Sequence, residues 1–456
     1  MIKIERKCHY IVRPKCGGAK PYSCPPYLKC GGAFAPSAPP VPPPMPITLL
    51  EVPGKVYERI INDRFKRFCE TNDLFNTNQF GFRANKGTDV ALAAIYEFIA
   101  NTQVERQQCC VIARDISKAF DKVWHTGLQY KILTLDLPPV IEKTLCNFVE
   151  DRTAQIRHQD IIGPKFEIKC GVPQGAITSP SLYIWYINDM PIAEPRSLNV
   201  MFADDVTEII VTPERSKDYL KLKAEREITK INNFEKKWKL KTNYDKFKLL
   251  SISKTKPPII NIEGRPLAYS NEVTILGQTF KRTGIGKHTD VRLRLARAAN
   301  TKLKRFSGLQ VKTKLHLFKA FVRSTLEYPA PLMNILSRTN KIKMQRLQNK
   351  CLREITKNNQ EDQDLNTQAL HEKYNIQPIN VRLWERAKRC WDKLEHIQPQ
   401  ICDRAREISE QDRRIFPEHK WWRRMYESQL GDEEPEAIYV YTDAVPNANI
   451  NGNRGD

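Results

Sequence analysis

Apolar residues recur along this chain with two periods, and the switches between them outline its fold. Residues 108–115 hold the compact apolar run CCVIA, which predicts a buried strand ending on a carboxylate. Residues 199–202 and 208–211 are two more apolar runs on either side of ADDV, which predicts a hairpin with an acidic pair at its turn. Leu220, Ala224, Ile228, Ile231, Phe234 and Trp238 are spaced four, four, three, three and four, so a helix is expected there with this stripe as core. Residues 90–102 and 56–68 also have helical patterns, and Val56, Ile60 and Phe65 are expected on the buried face of the second. Residues 166–170 are a candidate strand. After Gly277 the pattern is mainly helical, and from about residue 400 the chain is polar and ends in a disorder-like VPNANINGNRGD.

Composition narrows the partner. The net charge is +22 over 456 residues, with 41% hydrophobic residues, so most of the chain can fold and an acidic partner is expected. The charge is concentrated: residues 281–350 carry 18 Lys and Arg against only Asp290 and Glu327. Interleaved Leu, Phe and Val let that block pack as helices with one face toward phosphates. No apolar run of membrane-spanning length and no signal peptide is visible, so an intracellular chain in nucleus or cytoplasm, with no membrane partner, is expected. The 12 Cys show no paired CxxC spacing, which suits reduced thiols. Cys8, Cys16, Cys24 and Cys30 are separated by seven, seven and five residues, which fits no common zinc module. They lie before a run with seven Pro from Pro36 to Pro46, so residues 1–45 are expected to be a linker or disordered segment.

Candidate chemistry lies in two acidic places, Asp115 at a strand end and Asp204–Asp205 at a hairpin turn. Carboxylates beside apolar residues are costly to leave unpaired, and three together would repel. A divalent cation answers both problems, and magnesium favours such oxygen donors. Two such ions can activate an attacking oxygen and stabilise a leaving one. An acidic turn alone is usually a solvated hairpin tip; order and company give this one weight.

That company is specific. DISKAFDKVWH from Asp115, GVPQGAITSP from Gly171, FADD from Phe202, LKTNYDK from Leu240 and ILGQTF from Ile275 resemble, in order, the palm and primer-grip motifs of non-LTR, jockey-like retrotransposon reverse transcriptases. PITLLEVPGKVYERIINDRF and NQFGFRANKGT resemble the finger motifs, and LEYPAP and MQRLQNKCLREI the thumb and post-thumb region. The resemblance implies an α+β right-hand polymerase, with fingers and palm over 46–280 and a basic helical thumb over 281–355; the residue pattern beyond adds a helical region over 356–430 and a disordered tail over 431–456. It implies an RNA-directed DNA polymerase acting on an RNA template, a DNA primer and dNTPs. Two magnesium ions, or manganese, would be held by Asp115, Asp204 and Asp205. Lys246 would serve the leaving pyrophosphate, Phe120 would exclude a 2′-hydroxyl, Gln174 and Gly175 would lie against template and nucleotide, and Arg83 would meet the triphosphate.

The chain departs from the family pattern at Arg114, where an apolar residue is usual, at Ala176 in place of Ser and at Thr178 in place of Leu. A Tyr-Arg pair usual before PISLL is replaced by the Pro-rich run. These departures keep an alternative open, a decayed copy that only binds nucleic acid. The first 45 residues are too few for an endonuclease. IYVYTDA resembles the first strand of a ribonuclease H domain, with Asp443 as its acid, but only 12 residues come after it; no nuclease activity is expected. Oligomeric state is not encoded legibly.

Overall fold

The structure, a computed structural model, describes residues 51–412 except 156, 159–160, 214–215, 253–256, 283, 285–287 and 358, together with 435 and 437–438. The Cys- and Pro-rich segment, most of IYVYTDA and the tail lie outside the described residues. The described residues fall into two units, one built from residues up to 76, 117–189 and 235–241, the other from 77–116, 190–234 and 242 onward.

The second unit is organised on a four-stranded antiparallel sheet. Its strands are β1 (Gln108–Asp115), β2 (Leu198–Phe202), β3 (Asp205–Thr212) and β4 (Lys248–Ser251), in the order β2-β3-β1-β4. Alternation along β1 explains its two-sided burial. Cys109 and Val111 pack with Ile209 and Val211 against Ile95 and Ile99 of helix α1 (Thr88–Val104). Cys110 and Ile112 pack with Ile210 and Leu249 against Leu220, Ala224 and Ile228 of helix α2 (Lys217–Lys237). The whole predicted stripe from Leu220 to Trp238 is buried. Burial pushes the Cys109 and Cys110 thiols up, which keeps them protonated and unreactive.

After a hairpin, Glu272–Ile275 with Gln278–Lys281, the unit becomes helical: α3 (His288–Leu303), α4 (Val311–Leu317), α5 (Arg338–Thr356), α6 (Ile379–Ile397) and α7 (Pro399–Asp412). Leu293, Ala296, Phe318, Val322, Met344, Leu352 and Leu383 form a helical core of their own. The region beyond 400 is less polar in structure than in pattern, since Ile401, Cys402 and Ala405 of α7 enter the sheet's core beside Trp391 and Leu394. None of the described helices is long and apolar enough to cross a membrane.

In the first unit the helix Val52–Thr71 corrects the expected face. Val56 is 56% exposed and Ile60 47%, whereas Ile61, Phe65 and Cys69 are buried. Two polar residues share the buried side because they hold another segment of the unit: Glu58 accepts from the Ile177 amide at 3.0 Å, and Asn62 accepts from Ser181 Oγ at 2.6 Å. The expected strand at 166–170 is shorter, Phe166–Glu167, followed by an isolated bridge from Cys170 to Trp124.

Candidate active site

The end of β1 and the β2–β3 hairpin bring the three predicted carboxylates to one edge of the sheet. Asp115 pairs directly with Asp205 across the β1–β3 ladder, and Phe202 pairs with Asp205 across the hairpin. The turn is therefore Ala203-Asp204 alone, and Asp205 opens β3 rather than sitting at the tip. Like charges at directly opposed positions destabilise a bare sheet. Burial, followed by Asp204 and Asp115, pushes the Asp205 carboxyl up to about 6. Asp204 is raised as well, mainly by burial, with Asp115 adding repulsion.

Lys246 supplies a positive charge. It closes the short 3-10 turn Tyr244–Lys246, and its ammonium donates to Asp115 Oδ2 at 3.1 Å. The turn is tied to the same strand end, because the Asn243 amide donates to the Asp115 carbonyl at 2.8 Å and Ile116 bridges Thr242.

Ala203 has φ 57°, a left-handed backbone that costs a non-glycine residue about 1 kcal/mol. Gln79 holds it: its side-chain oxygen accepts from the Ala203 amide at 3.0 Å and from the Gly81 amide at 2.8 Å. Phe80 and Asn78 exchange backbone hydrogen bonds with Met201 at 2.7 and 2.9 Å. Gly81 passes so near that an added Cβ would stand 2.6 Å from the Ala203 nitrogen, against backbone that cannot yield cheaply. Half-buried Arg83 lies further along this loop, before α1 begins. Gln79 was not singled out from the sequence, and only NQFGFR before a helix pointed to its loop.

Arg114 was expected as a departure from an apolar position. It is 2% exposed yet matched: Nε donates to Glu208 Oε1 at 3.1 Å, and Nη1 donates to Asn232 at 2.8 Å and to Thr242 at 3.1 Å. One buried guanidinium thus joins β1, β3, α2 and the segment from Thr242 that leads to Lys246.

Phe120, Gln174 and Gly175 belong to the first unit. Phe120, five residues after Asp115, stacks on Tyr183 with ring centroids 4.8 Å apart. Gln174 donates to Asp121 Oδ1 at 2.8 Å. Gly175 has φ 98°, which L side chains rarely adopt. Ala176 and Thr178, the other departures, are both buried.

Do these residues suit a divalent ion? Among the described residues no three acidic, His or Cys side chains converge on one metal-sized point. The triad shares a sheet edge, and Lys246 takes up one Asp115 oxygen. The donor set itself fits a hard cation: all oxygen, crowded with like charge, and with two carboxyls raised partly by mutual repulsion.

This edge geometry coincides with a family assignment. Residues 44–280 match the reverse transcriptase (RNA-dependent DNA polymerase) family, and the chain belongs to it. Over 324 residues it is 30% identical to the probable RNA-directed DNA polymerase from transposon X-element of Drosophila melanogaster, an alignment covering 68% of this chain and 35% of that protein. It is 27% identical over 331 residues to the RNA-directed DNA polymerase from mobile element jockey of the same fly, again 68% and 35%. The chain therefore spans about a third of the length of these relatives. The likeness is to jockey-like, non-LTR elements, as the motifs implied. Among solved structures, it is similar to the telomerase of Candida tropicalis in complex with a TWJ fragment of telomeric RNA, with a TM-score of 0.40 and 13% identity over 80% of this chain and 55% of that one.

Proposed function

We propose that this chain is the polymerase part of a non-LTR retrotransposon reverse transcriptase, and that it extends a DNA primer on an RNA template. The observation that carries this reading is the direct pairing of Asp115 with Asp205, with Asp204 in the two-residue turn between β2 and β3. Asp115 and Asp204 would bridge two magnesium ions and Asp205 would support them. When bound, such ions lower the cost of generating a 3′-alkoxide and stabilise the departing pyrophosphate oxygens.

The chain's own groups do the rest. Asp115 is held in place through its carbonyl by the Asn243 amide. Lys246, 63% exposed, can leave its ion pair with Asp115 and carry a proton toward pyrophosphate. The Phe120 ring, backed by Tyr183, would lie under the sugar and leave no room for a 2′-hydroxyl. Gln174 and Gly175 would face template and nucleotide, and Arg83 would offer a guanidinium fork to the triphosphate. Arg114, charge-matched in its buried site, gives no support to a decayed copy.

Primer extension by the purified protein is the test, with RNA template, DNA primer, dNTPs and magnesium. Extension that stops when magnesium is chelated is expected. A protein that binds the primer–template but adds no nucleotide with either magnesium or manganese would establish the binding-only reading instead.

A further inference from the structure

The carboxylate edge leaves one strongly charged cavity unused. It has a volume of about 300 Å3 and is lined by Asp89 and Val90 of α1 and by Arg382, Arg386, Arg389, Cys390 and Lys393 of α6. The four basic residues are spaced four, three and four, so they form a single stripe along α6. The stripe extends roughly 16 Å along the helix at 1.5 Å per residue, farther than one phosphate group can reach.

A structural role accounts for only half of it. Buried Glu327 accepts from Arg382 at 2.6 Å and from Arg386 at 2.9 Å, and lies 3.5 Å from Arg323. Asp89 takes the second arm of Arg386 at 2.9 Å. These two acids satisfy the inner arginines. Arg389 reaches out, 66% exposed, with a loose 3.7 Å pair to the Glu385 carboxylate and a 3.3 Å bond from Nε to the Glu385 carbonyl, and exposed Lys393 continues the row. Positive charge is in excess: burial first, and then the crowding of Arg382 and Arg386, lowers the pKa of Arg323, and Lys319 is lowered in the same way by burial, Arg323 and Arg382.

We propose that this α6 stripe is a binding site for the phosphate backbone of a single nucleic-acid strand, made of none of the residues of the carboxylate site. Arg382, fixed to Glu327 through Nε, presents the fork of its two terminal nitrogens, Arg386 is held behind it by Glu327 and Asp89, and Arg389 and Lys393 supply charge at the rim. Guanidinium forks suit phosphate oxygens, and the length of the stripe favours a strand over a free nucleotide. The site does not require the chain to catalyse anything.

The test uses the full chain and a labelled oligouridine strand, with affinity followed over a salt series. The double variant R389E/K393E should bind about tenfold more weakly, and its log–log salt slope should shrink by about 1.4, two contacts at about 0.7 each. The variant R64E/R67E, with the same charge change in the other unit, controls for net charge and should keep the parental slope. An unchanged affinity for R389E/K393E, or an equal loss in both variants, would overturn the site. Displacement of the strand by dATP from the parent but not from R389E/K393E would show a free-nucleotide site and overturn the strand assignment. Primer extension plays no part in these readings, so failure of the polymerase reading leaves them distinct.

Discussion

The guanidinium of Arg114 donates to Glu208 at 3.1 Å with both side chains wholly buried. The pair lies on the α2 face of the sheet, one residue from Asp115. Breaking a buried pair from one side leaves a charge without its partner, so Arg114→Leu should cost about 3–5 kcal/mol, while replacing both partners costs much less than the sum. Urea unfolding of R114L, E208L and the double variant should give a coupling of about 1–3 kcal/mol. Additive losses would mean that Arg114 is held by Asn232 and Thr242 alone.

Asp204→Asn should lower primer extension by about 1000-fold, equivalent to about 4 kcal/mol of barrier. Its affinity for primer–template should be nearly unchanged, because grip comes from Lys and Arg elsewhere. Single-turnover extension and equilibrium binding separate the two. A variant that extends at the parental rate would remove Asp204 from the site.

Phe120→Ala should admit ribonucleotides. The ring stacks on Tyr183, so its loss opens space without unseating a strand. The ratio of rNTP to dNTP incorporation should rise by at least about tenfold, a modest steric discrimination of about 1.4 kcal/mol. A ratio that stays level while overall rate falls would make Phe120 a packing residue.

Stability should fall in mild acid through His288. This residue starts α3, is 3% exposed, and accepts from Arg292 Nε at 2.9 Å. Burial, with Arg292 adding repulsion, lowers its pKa to about 4. In the unfolded chain it titrates near 6.5. Between about pH 6.5 and 4 the unfolded state therefore binds a proton that the folded state does not, and stability rises with pH over that window. The contribution is full above 6.5 and falls by up to about 3 kcal/mol toward pH 4. Denaturation midpoints for the parent and His288→Gln should converge as pH falls; parallel curves would show that His288 does not titrate there.

Local patterns revealed those parts of the fold whose information is itself local. β1 is legible because five apolar residues in a row lead, through Arg114, to Asp115, and the Leu220–Trp238 stripe because six residues keep one helical period. The face of Val52–Thr71 was not, because Glu58 and Asn62 are buried by hydrogen bonds to residues about 120 positions away, which no local pattern encodes. Arg114 looked like damage for the same reason: Glu208, Asn232 and Thr242 are distant in sequence. Gln79 was missed because a side chain that holds a turn leaves no periodic trace. The ADDV motif marks the carboxylates, but its pattern puts Asp205 in the turn, whereas the structure pairs it with Asp115.

The basic block from residue 281 to 350 is no uniform surface, and its salt response should show it. Lys314 is buried, and Arg292 lies over the Tyr328 ring with its centre 4.6 Å from the centroid while donating to the Gly277 carbonyl at 3.1 Å. Lys304 is paired with Glu354 at 2.8 Å. By contrast Arg294, Arg297, Lys302, Arg305 and Lys312 are exposed and form no ion pair among the described residues. Each phosphate contact on duplex contributes about 0.9 to the log–log salt slope of binding. Reversing Arg294, Arg297 and Lys302 together on α3 should therefore reduce that slope by up to about 2.7 and weaken primer–template binding steeply at low salt. Reversing Arg292 should instead lower the melting temperature, because it disturbs a packed ring and a carbonyl bond rather than a free charge. Binding isotherms over a salt series, read beside thermal melts, distinguish the two. A slope that the α3 triple variant leaves intact would assign those three charges to solvent.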